Sequence, residues 1–412
     1  MTKPQFTLIP SAYRVNTVYS VLPVDGSGDM TFSRGSEATR VRQDGLIENV
    51  LSNTPRLNWL NSNCPSLLLE GTSTNLQIRS EEFDNSAWDK TRITVTANDT
   101  ISPDGTESAD KVECNSTGSA FLTDAIGIGS TDDITFSTFI KSGNAQYCSV
   151  GFYDLSFGSS YRVVFDLHNE AITYELVQGS VFTNTSVSFE KYSNGWFRIC
   201  TSALSTGTTN IRNYIYPVTN GSTSFTATQG QYNYIWGAQA ELKKFCSSYI
   251  KTEDGIATRS QDICINGGDS NLFDITEGTF FVDVTPFKAS EFHRITLSNN
   301  TTDEEIIFLF YSNNTQVQII SESSGVGQVS YTTNITFDIQ NKLAFTFKKN
   351  EFKFYVNGNL VHTDTSGNIA TGLNSLHFAG NNGGFNYFQG KVHDTRVYNT
   401  VLTEAEAIKL TK

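Results

Sequence analysis

What most constrains this chain is the absence of helical periodicity over its longest stretch. From Ser80 onward it is a succession of short segments rich in β-branched and aromatic residues, punctuated by Asn, Gly, Ser and Thr. Apolar residues recur at every second position, the period of half-buried strands. The pattern predicts strands at Arg92–Ala97, Ala109–Glu113, Ile134–Lys141, Tyr147–Tyr153, Tyr161–Asp166, Ile172–Leu176, Trp196–Thr201, Ile211–Val218 and Tyr232–Gln239. A series of this kind predicts an antiparallel sandwich. A second series starts after Phe273 with GTFFVDVTPF and IIFLFYS. In NKLAFTFKKNEFKFYVNGNLVHTD, Asn357-Gly358 suits a two-residue type I′ turn. That turn places Phe352, Phe354, Val356 and Val361 on an expected core face. Lys353, Tyr355, Leu360 and His362 fall on the other, expected to be mostly wet. Thr403 and Glu406 have capping-box spacing for a short closing helix.

Between the two series, Trp236 to Cys264 reads as a seam: a strand with alternating Tyr232, Tyr234 and Trp236, then a polar turn through Glu253, Asp254 and Gly255. Residues 1–50 hold only short extended pieces, broken by Pro10, Pro23 and Asp25-Gly26. Phe32–Val50 reads as a hairpin about Gln43-Asp44-Gly45. The expected organisation is all-β: an N-terminal segment at 1–79, a β-sandwich at 80–252, a linker at 253–272 and a second β-sandwich at 273–412 with the short helix. The leading segment cannot bury much apolar surface alone and is expected to pack on a neighbour or wrap a partner. Arg34, Arg40 and Arg42 read as solvated arginines on its hairpin.

Charge and cysteines narrow the function. Lys and Arg number 29 against 42 Asp and Glu, a net −13, with no basic block. That argues against duplex nucleic acid as a partner. No apolar run is long enough to span a membrane. The opening MTKPQFTLIPSAYRVN has a proline and polar residues where a secretory leader has an apolar core, so folding in a cytosol is expected. Cys64, Cys114, Cys148, Cys200, Cys246 and Cys264 are scattered, with no CxxC pair; reduced core thiols are expected, and no zinc site. His168, His293, His362, His377 and His393 show no metal or triad spacing. No G-x-S-x-G or phosphate-binding glycine loop occurs. No catalytic residue, metal or cofactor is therefore expected.

Four groups of motifs carry a resemblance. Phe32, Arg34, Ser36, Ala38-Thr39-Arg40-Val41, Gly45, Ile47-Glu48, then Pro55-Arg56-Leu57-Asn58, Leu67-Leu68-Leu69-Glu70 and Thr74-Asn75-Leu76 resemble the start of bacteriophage tail and fibre proteins. Trp236-Gly237-Ala238-Gln239 with Glu241, Ser248-Tyr249-Ile250 with Thr252, and Thr258-Arg259 with Asp262 resemble a join found across phage virion proteins. SEEFDNSAWDK, SPDGTESADKV and YSNGWFRI resemble the carbohydrate-binding-module-like jelly roll that precedes that join. The last unit, with its GKVHDTRVYN strand and LTEAEA tail, resembles concanavalin A-like and laminin-G-like jelly rolls. The resemblance implies two jelly rolls behind an N-terminal virion-attachment segment. It implies a fibre, spike or decoration subunit of a virion assembled in the host cytoplasm. Its implied partners are capsid or tail proteins, other copies of itself in a trimer, and a cell-surface glycan.

Glycan binding needs exposed rings beside amides. Gly380 to Tyr387 offers Asn381, Asn382, Phe385, Asn386 and Tyr387, with Trp88 and Tyr153 as further candidates. The alternatives are a virion-associated polysaccharide depolymerase and a bacterial secreted lectin or adhesin. A glycoside hydrolase needs two facing carboxylates about 5–9 Å apart. The one dense acidic run, Asp303-Glu304-Glu305, has Ile307 where the resemblance would put another acid, and reads as a solvated loop.

Overall fold

The computed structural model describes residues 2–156, 158–221, 226–380 and 383–412. Its elements are strands apart from short helices, and the all-β expectation holds. The first sandwich pairs two six-stranded antiparallel sheets. One runs in the order Asp89–Thr91, Phe121–Gly127, Asn210–Val218, Tyr147–Asp154, Ser160–Asp166, Ala171–Gln178. The other runs Ile93–Ile101, Glu107–Cys114, Tyr232–Glu241, Thr131–Ser142, Trp196–Thr206, Phe182–Lys191. Alternate side chains, among them Leu122, Val150, Phe152, Val163 and Ile215 from the first sheet and Val112, Phe136, Ile140 and Ile235 from the second, fill the space between. Period-2 patterning thus becomes one buried face per sheet.

In the C-terminal sandwich a five-stranded sheet (Val326–Asn334, Gln316–Ser323, Glu305–Phe310, His293–Ser298, Ser375–His377) shares a core with an eight-stranded one. The larger sheet is not made by the C-terminal residues alone. Phe6–Leu8 pairs with Val397 to Thr395 of the Gly390–Tyr398 strand, and Ser66–Leu69 pairs with the same strand at Val392 to Gly390. Phe6, Leu8, Leu67 and Leu69 enter the C-terminal core. Residues 1–79 are thus woven into the rest of the chain, and the expected linker is woven in with them. Ile263–Ile265 pairs with Met30–Ser33, and Ala257–Arg259 pairs with Ser73–Asn75.

Three local expectations need correction. Asn357-Gly358 does turn a hairpin, with Val356 opposite Asn359, but a bulge then sets His362 opposite Phe354. There its ring stacks on Tyr331 at 4.3 Å. The face expected to be wet is covered: Tyr355 packs with Phe281, Tyr398, Leu402 and Ala407 beneath the closing helix Glu404–Thr411. Thr403 and Glu406 form the capping box of that helix. The cysteine expectation fails at one pair, since Cys200 and Cys246 form a disulfide. Cys64, Cys114, Cys148 and Cys264 are free.

The arginines of the first hairpin correct the reading most. Arg42 is exposed and paired with Asp44, and Arg40 bonds Glu48 at 2.6 Å. Arg34 is buried. Its Nη1 lies 3.0 Å from Asp262 Oδ1 and its Nε donates to the Ser36 carbonyl. Arg56 reaches both Glu70 (2.7 Å) and Asp262, and Arg259 reaches Glu70 (2.6 Å) and the Gly71 carbonyl (2.7 Å). Ser248 gives its backbone N–H and hydroxyl to Glu70, at 2.8 and 2.7 Å. Burial alone would raise the Glu70 carboxyl, but Arg259 and Arg56 beside it hold it far below the usual carboxylate range. These are the motif residues of the hairpin and the seam, brought into one buried cluster.

The seam's remaining motif residues have equally local reasons. Gly237 sits at a bulge with φ +62°, where a Cβ would stand 2.9 Å from the Phe139 ring and 3.2 Å from Tyr249. Only glycine fits both the backbone and the space. Gln239 accepts the Ile250 N–H at 2.6 Å, and Trp236 packs against Tyr249 and Phe139. Val41 and Ile47 of the hairpin close this aromatic cluster from outside.

Candidate functional site

The sequence candidates fall in two places. Trp88 is core, 2% exposed, packed on Phe83 with its indole N–H given to the Arg79 carbonyl at 3.1 Å. It cannot meet a ligand. Its neighbours in SEEFDNSAWDK supply a turn around it, which is why the stretch looked distinctive.

Tyr153 belongs to a surface that the sequence reading did not assemble. Along Tyr147–Asp154 the inward residues are Cys148, Val150 and Phe152, so Tyr147, Ser149, Gly151 and Tyr153 face outward. On the adjacent strand Tyr214, Tyr216 and Val218 face the same way. Phe121, Tyr147, Tyr153 and Tyr174 are half-buried rings packed over them. Tyr153 lies 4.1 Å from Tyr214, Phe121 lies 4.8 Å from it on the other side, and the Arg162 guanidinium sits 5.1 Å over Tyr153. Burial pushes the Tyr153, Tyr214 and Tyr216 phenols up, so they stay protonated. Tyr214 and Tyr216 are each 3% exposed, so the outer hydroxyls of this face are those of Tyr147, Tyr153 and Tyr174. Gly151 opposes both Tyr214 and Arg162, and a Cβ there would collide with the Tyr161 carbonyl oxygen, so only glycine lets the strands approach this closely. The sequence carries part of the signal: Tyr147 and Tyr153 in YCSVGFY share one face, as do Tyr214 and Tyr216 in NYIYPV.

The other candidates lie in the C-terminal sandwich. Asn381 and Asn382 fall outside the described residues. Phe385 is 40% exposed, with the Arg294 guanidinium 4.8 Å over its ring. Asn386 accepts the Arg294 N–H at 3.0 Å and Tyr387 bridges to Arg294, so the loop is tied to the end of the His293–Ser298 strand. Asn386 and Tyr387 are half-buried. This is one exposed ring on a cationic base, a smaller surface than the tyrosine face.

Beside it lies the acidic run, where the solvated-loop reading fits the exposed Asp303 but fails for Glu304 and Glu305, which are buried. Glu304 accepts the N–H groups of Ser324 (2.9 Å) and Thr371 (2.7 Å). Glu305 opens a strand and is 3% exposed, facing Glu322 directly across the ladder. Its Oε2 has no hydrogen-bond partner. Burial, and secondarily Glu322, pushes the Glu305 carboxyl up to about 7 against the opposing pull of Arg294. Because the folded value lies above the unfolded one, the fold holds an extra proton between about pH 4.5 and 7. Stability is therefore greatest below that window and falls as pH rises through it. Glu305→Gln is expected to raise stability at pH 8 by on the order of 1–2 kcal/mol and to flatten that decline. Denaturant midpoints of both proteins at pH 5 and pH 8 check it.

Among the described residues no group of three or more His, Cys, Asp or Glu is placed to hold a metal. No helix there is long and apolar enough to cross a membrane. Residues 259–407 match the family model of the concanavalin A-like lectin/glucanases superfamily, of the third laminin-G type, so the C-terminal sandwich is a concanavalin A-like jelly roll. No curated protein matches the chain. Among solved structures, the chain is similar to the CBM40 of Ruminococcus gnavus IT-sialidase bound to α2,3-sialyllactose, at 17% identity and TM-score 0.30, covering 36% of this chain and 94% of that one. It is also similar to domain 4 of the arabinanase AbnA from Geobacillus stearothermophilus in complex with arabinotriose, at 19% identity and TM-score 0.30, covering 40% and 81%. A third is the Caenorhabditis elegans galectin LEC-6, at 17% identity and TM-score 0.23, covering 30% and 84%.

Proposed function

We propose that this chain is a structural subunit of a bacteriophage virion, a fibre, spike or decoration protein, that displays lectin-like sandwiches and binds a host-surface glycan. The tyrosine face carries the binding part: half-buried rings, protonated phenols and a guanidinium on one rigid sheet suit stacking on sugar rings and bonding to their hydroxyls. The loop around Phe385 is a second contact point. The virion part rests on the hairpin and seam motifs, whose residues form the buried ion cluster; self-association as a trimer belongs to the same reading. Binding without hydrolysis is proposed because Glu305 is sealed from a substrate, although its pairing with Glu322, like that of Asp283 with Asp394 on the larger sheet, is the kind of arrangement that favours a depolymerase.

A glycan array probed with the full chain should give hits that Tyr153→Ala weakens about tenfold, roughly the contribution of one stacking ring. No hits, or hits that Tyr153→Ala leaves unchanged, would overturn binding at this face. A reducing-end assay on host capsular polysaccharide should stay at background; release of sugar would favour the depolymerase. Mass spectrometry of purified particles should find the polypeptide, and its absence would end the virion reading.

A further inference from the structure

A cavity of about 330 Å³ opens where the three parts of the chain meet. One wall is the outer face of the strands Phe182–Lys191 and Trp196–Thr206, with the Cys200–Cys246 disulfide. A second is the 38–50 hairpin with the segment after Glu241, and the third is the C-terminal sandwich at Thr285, Phe287, Lys288 and Lys391. Neither sandwich possesses this space by itself, and it is separate from the tyrosine face and the Phe385 loop.

Its charge is unbalanced. Arg198 is 3% exposed, yet its guanidinium bonds neutral groups: the Ser137 hydroxyl at 2.9 and 3.2 Å, the Ser247 carbonyl at 2.7 Å and the Tyr192 hydroxyl, with the Phe139 ring 5.3 Å away. No carboxylate reaches it within ion-pair distance among the described residues. A buried guanidinium ordinarily has an acid beside it, because leaving water without one is costly. Lys391 has no ion-pair partner among the described residues, and Lys244 reaches Asp133 only at 4.0 Å. Lys288 is paired with Asp338 at 3.1 Å. Of the lining acids Glu70 is already held by Arg56 and Arg259, and Glu190, which accepts the Tyr192 hydroxyl at 3.0 Å, offsets one of the three remaining cations, Arg198, Lys244 and Lys391. On a chain of net charge −13, this is a local excess of positive charge in a partly enclosed space, which attracts anions.

The neutral lining narrows the anion. Phe245 and Phe287 meet across the domain boundary with ring centroids 5.6 Å apart, and Ser186, Ser188, Ser202 and Thr285 add hydroxyls. Rings and hydroxyls accept a sugar, and the cations accept an acid group on it. We propose that this cavity binds the carboxylate of an acidic oligosaccharide of the polyuronate kind. The saccharide part rests on the glycan-binding reading above; the anionic part stands on the cavity.

Calorimetric titration of the full chain with trigalacturonate, and separately with neutral maltotriose, tests it. Trigalacturonate should bind, more weakly as salt is added. Lys391→Glu and Lys244→Glu, both at half-exposed positions, should each weaken it by about tenfold or more at unchanged melting temperature. Tyr153→Ala should leave it unaltered, and no maltotriose binding should depend on Lys391. Failure of trigalacturonate to bind at millimolar concentration, or unchanged affinity in both lysine variants, overturns the proposal. Binding lost in Tyr153→Ala but kept in both lysine variants would also overturn it while sustaining the tyrosine face.

Discussion

Asp262→Ala is expected to lower stability by about 3–5 kcal/mol, the usual consequence of removing one partner from a buried ion pair. The cluster holds Arg34, Arg56 and Arg259 against Glu70 and Asp262, so it is already one positive charge in excess. Without Asp262, Arg34 loses its only carboxylate among the described residues, and Arg56 one of two. The backbone N–H of Glu70 also loses its acceptor at 2.9 Å. No solvent reaches these groups to compensate. Because Asp262 joins hairpin, seam and C-terminal sheet, the midpoint should fall for probes in every part of the chain. Denaturant curves followed by tryptophan fluorescence and by far-UV dichroism measure this, with Asp262→Asn expected to lose less because its shape and one acceptor remain. A loss under about 1 kcal/mol would mean that water enters the cluster.

Cys246→Ser, or reduction of the native chain, should cost up to about 4 kcal/mol. The bond closes a loop across a 46-residue separation, and chain entropy in the unfolded state sets that magnitude. The segment after Glu241 is also held by Ser247 and Ser248, through Glu241, Arg198 and Glu70, and by Tyr249 and Ile250, through Trp236 and Gln239. Titration of the denatured, unreduced chain should return four thiols, those of Cys64, Cys114, Cys148 and Cys264. Six thiols, or equal midpoints with and without reductant, would show that the bond does not form in solution.

The elements were legible because strands write themselves locally. The Asn357-Gly358 turn, the Thr403–Glu406 capping box and the hairpin at Gly45 each depend on neighbours in sequence, and each is found. What could not be read depends on distant partners. Arg34 looks like a solvated hairpin residue until Asp262, 228 positions away, is folded against it. Cys200 sits in GWFRIC as a buried hydrophobe would, and nothing local points to Cys246. Tyr355 alternates as an outward residue should, but the helix that covers it comes later in the chain. The tyrosine face was missed for a related reason: outward rings on neighbouring strands form a surface only once the register is known. Each ring is visible singly in the sequence; the surface they make together is not.

The pairing of Phe6–Leu8 with the strand that ends at Tyr398 has a consequence for how the molecule is made. Phe6–Leu8 must wait for Val397 to Thr395 before finding its ladder partner, so the larger C-terminal sheet is completed only after the Gly390–Tyr398 strand has left the ribosome. Until then both carry unsatisfied peptide groups, an invitation to strand exchange between copies. A fragment cut at the seam would keep that unfinished border permanently and should clump where the intact molecule does not. The route to the native state is long-range by construction, and slow for that reason.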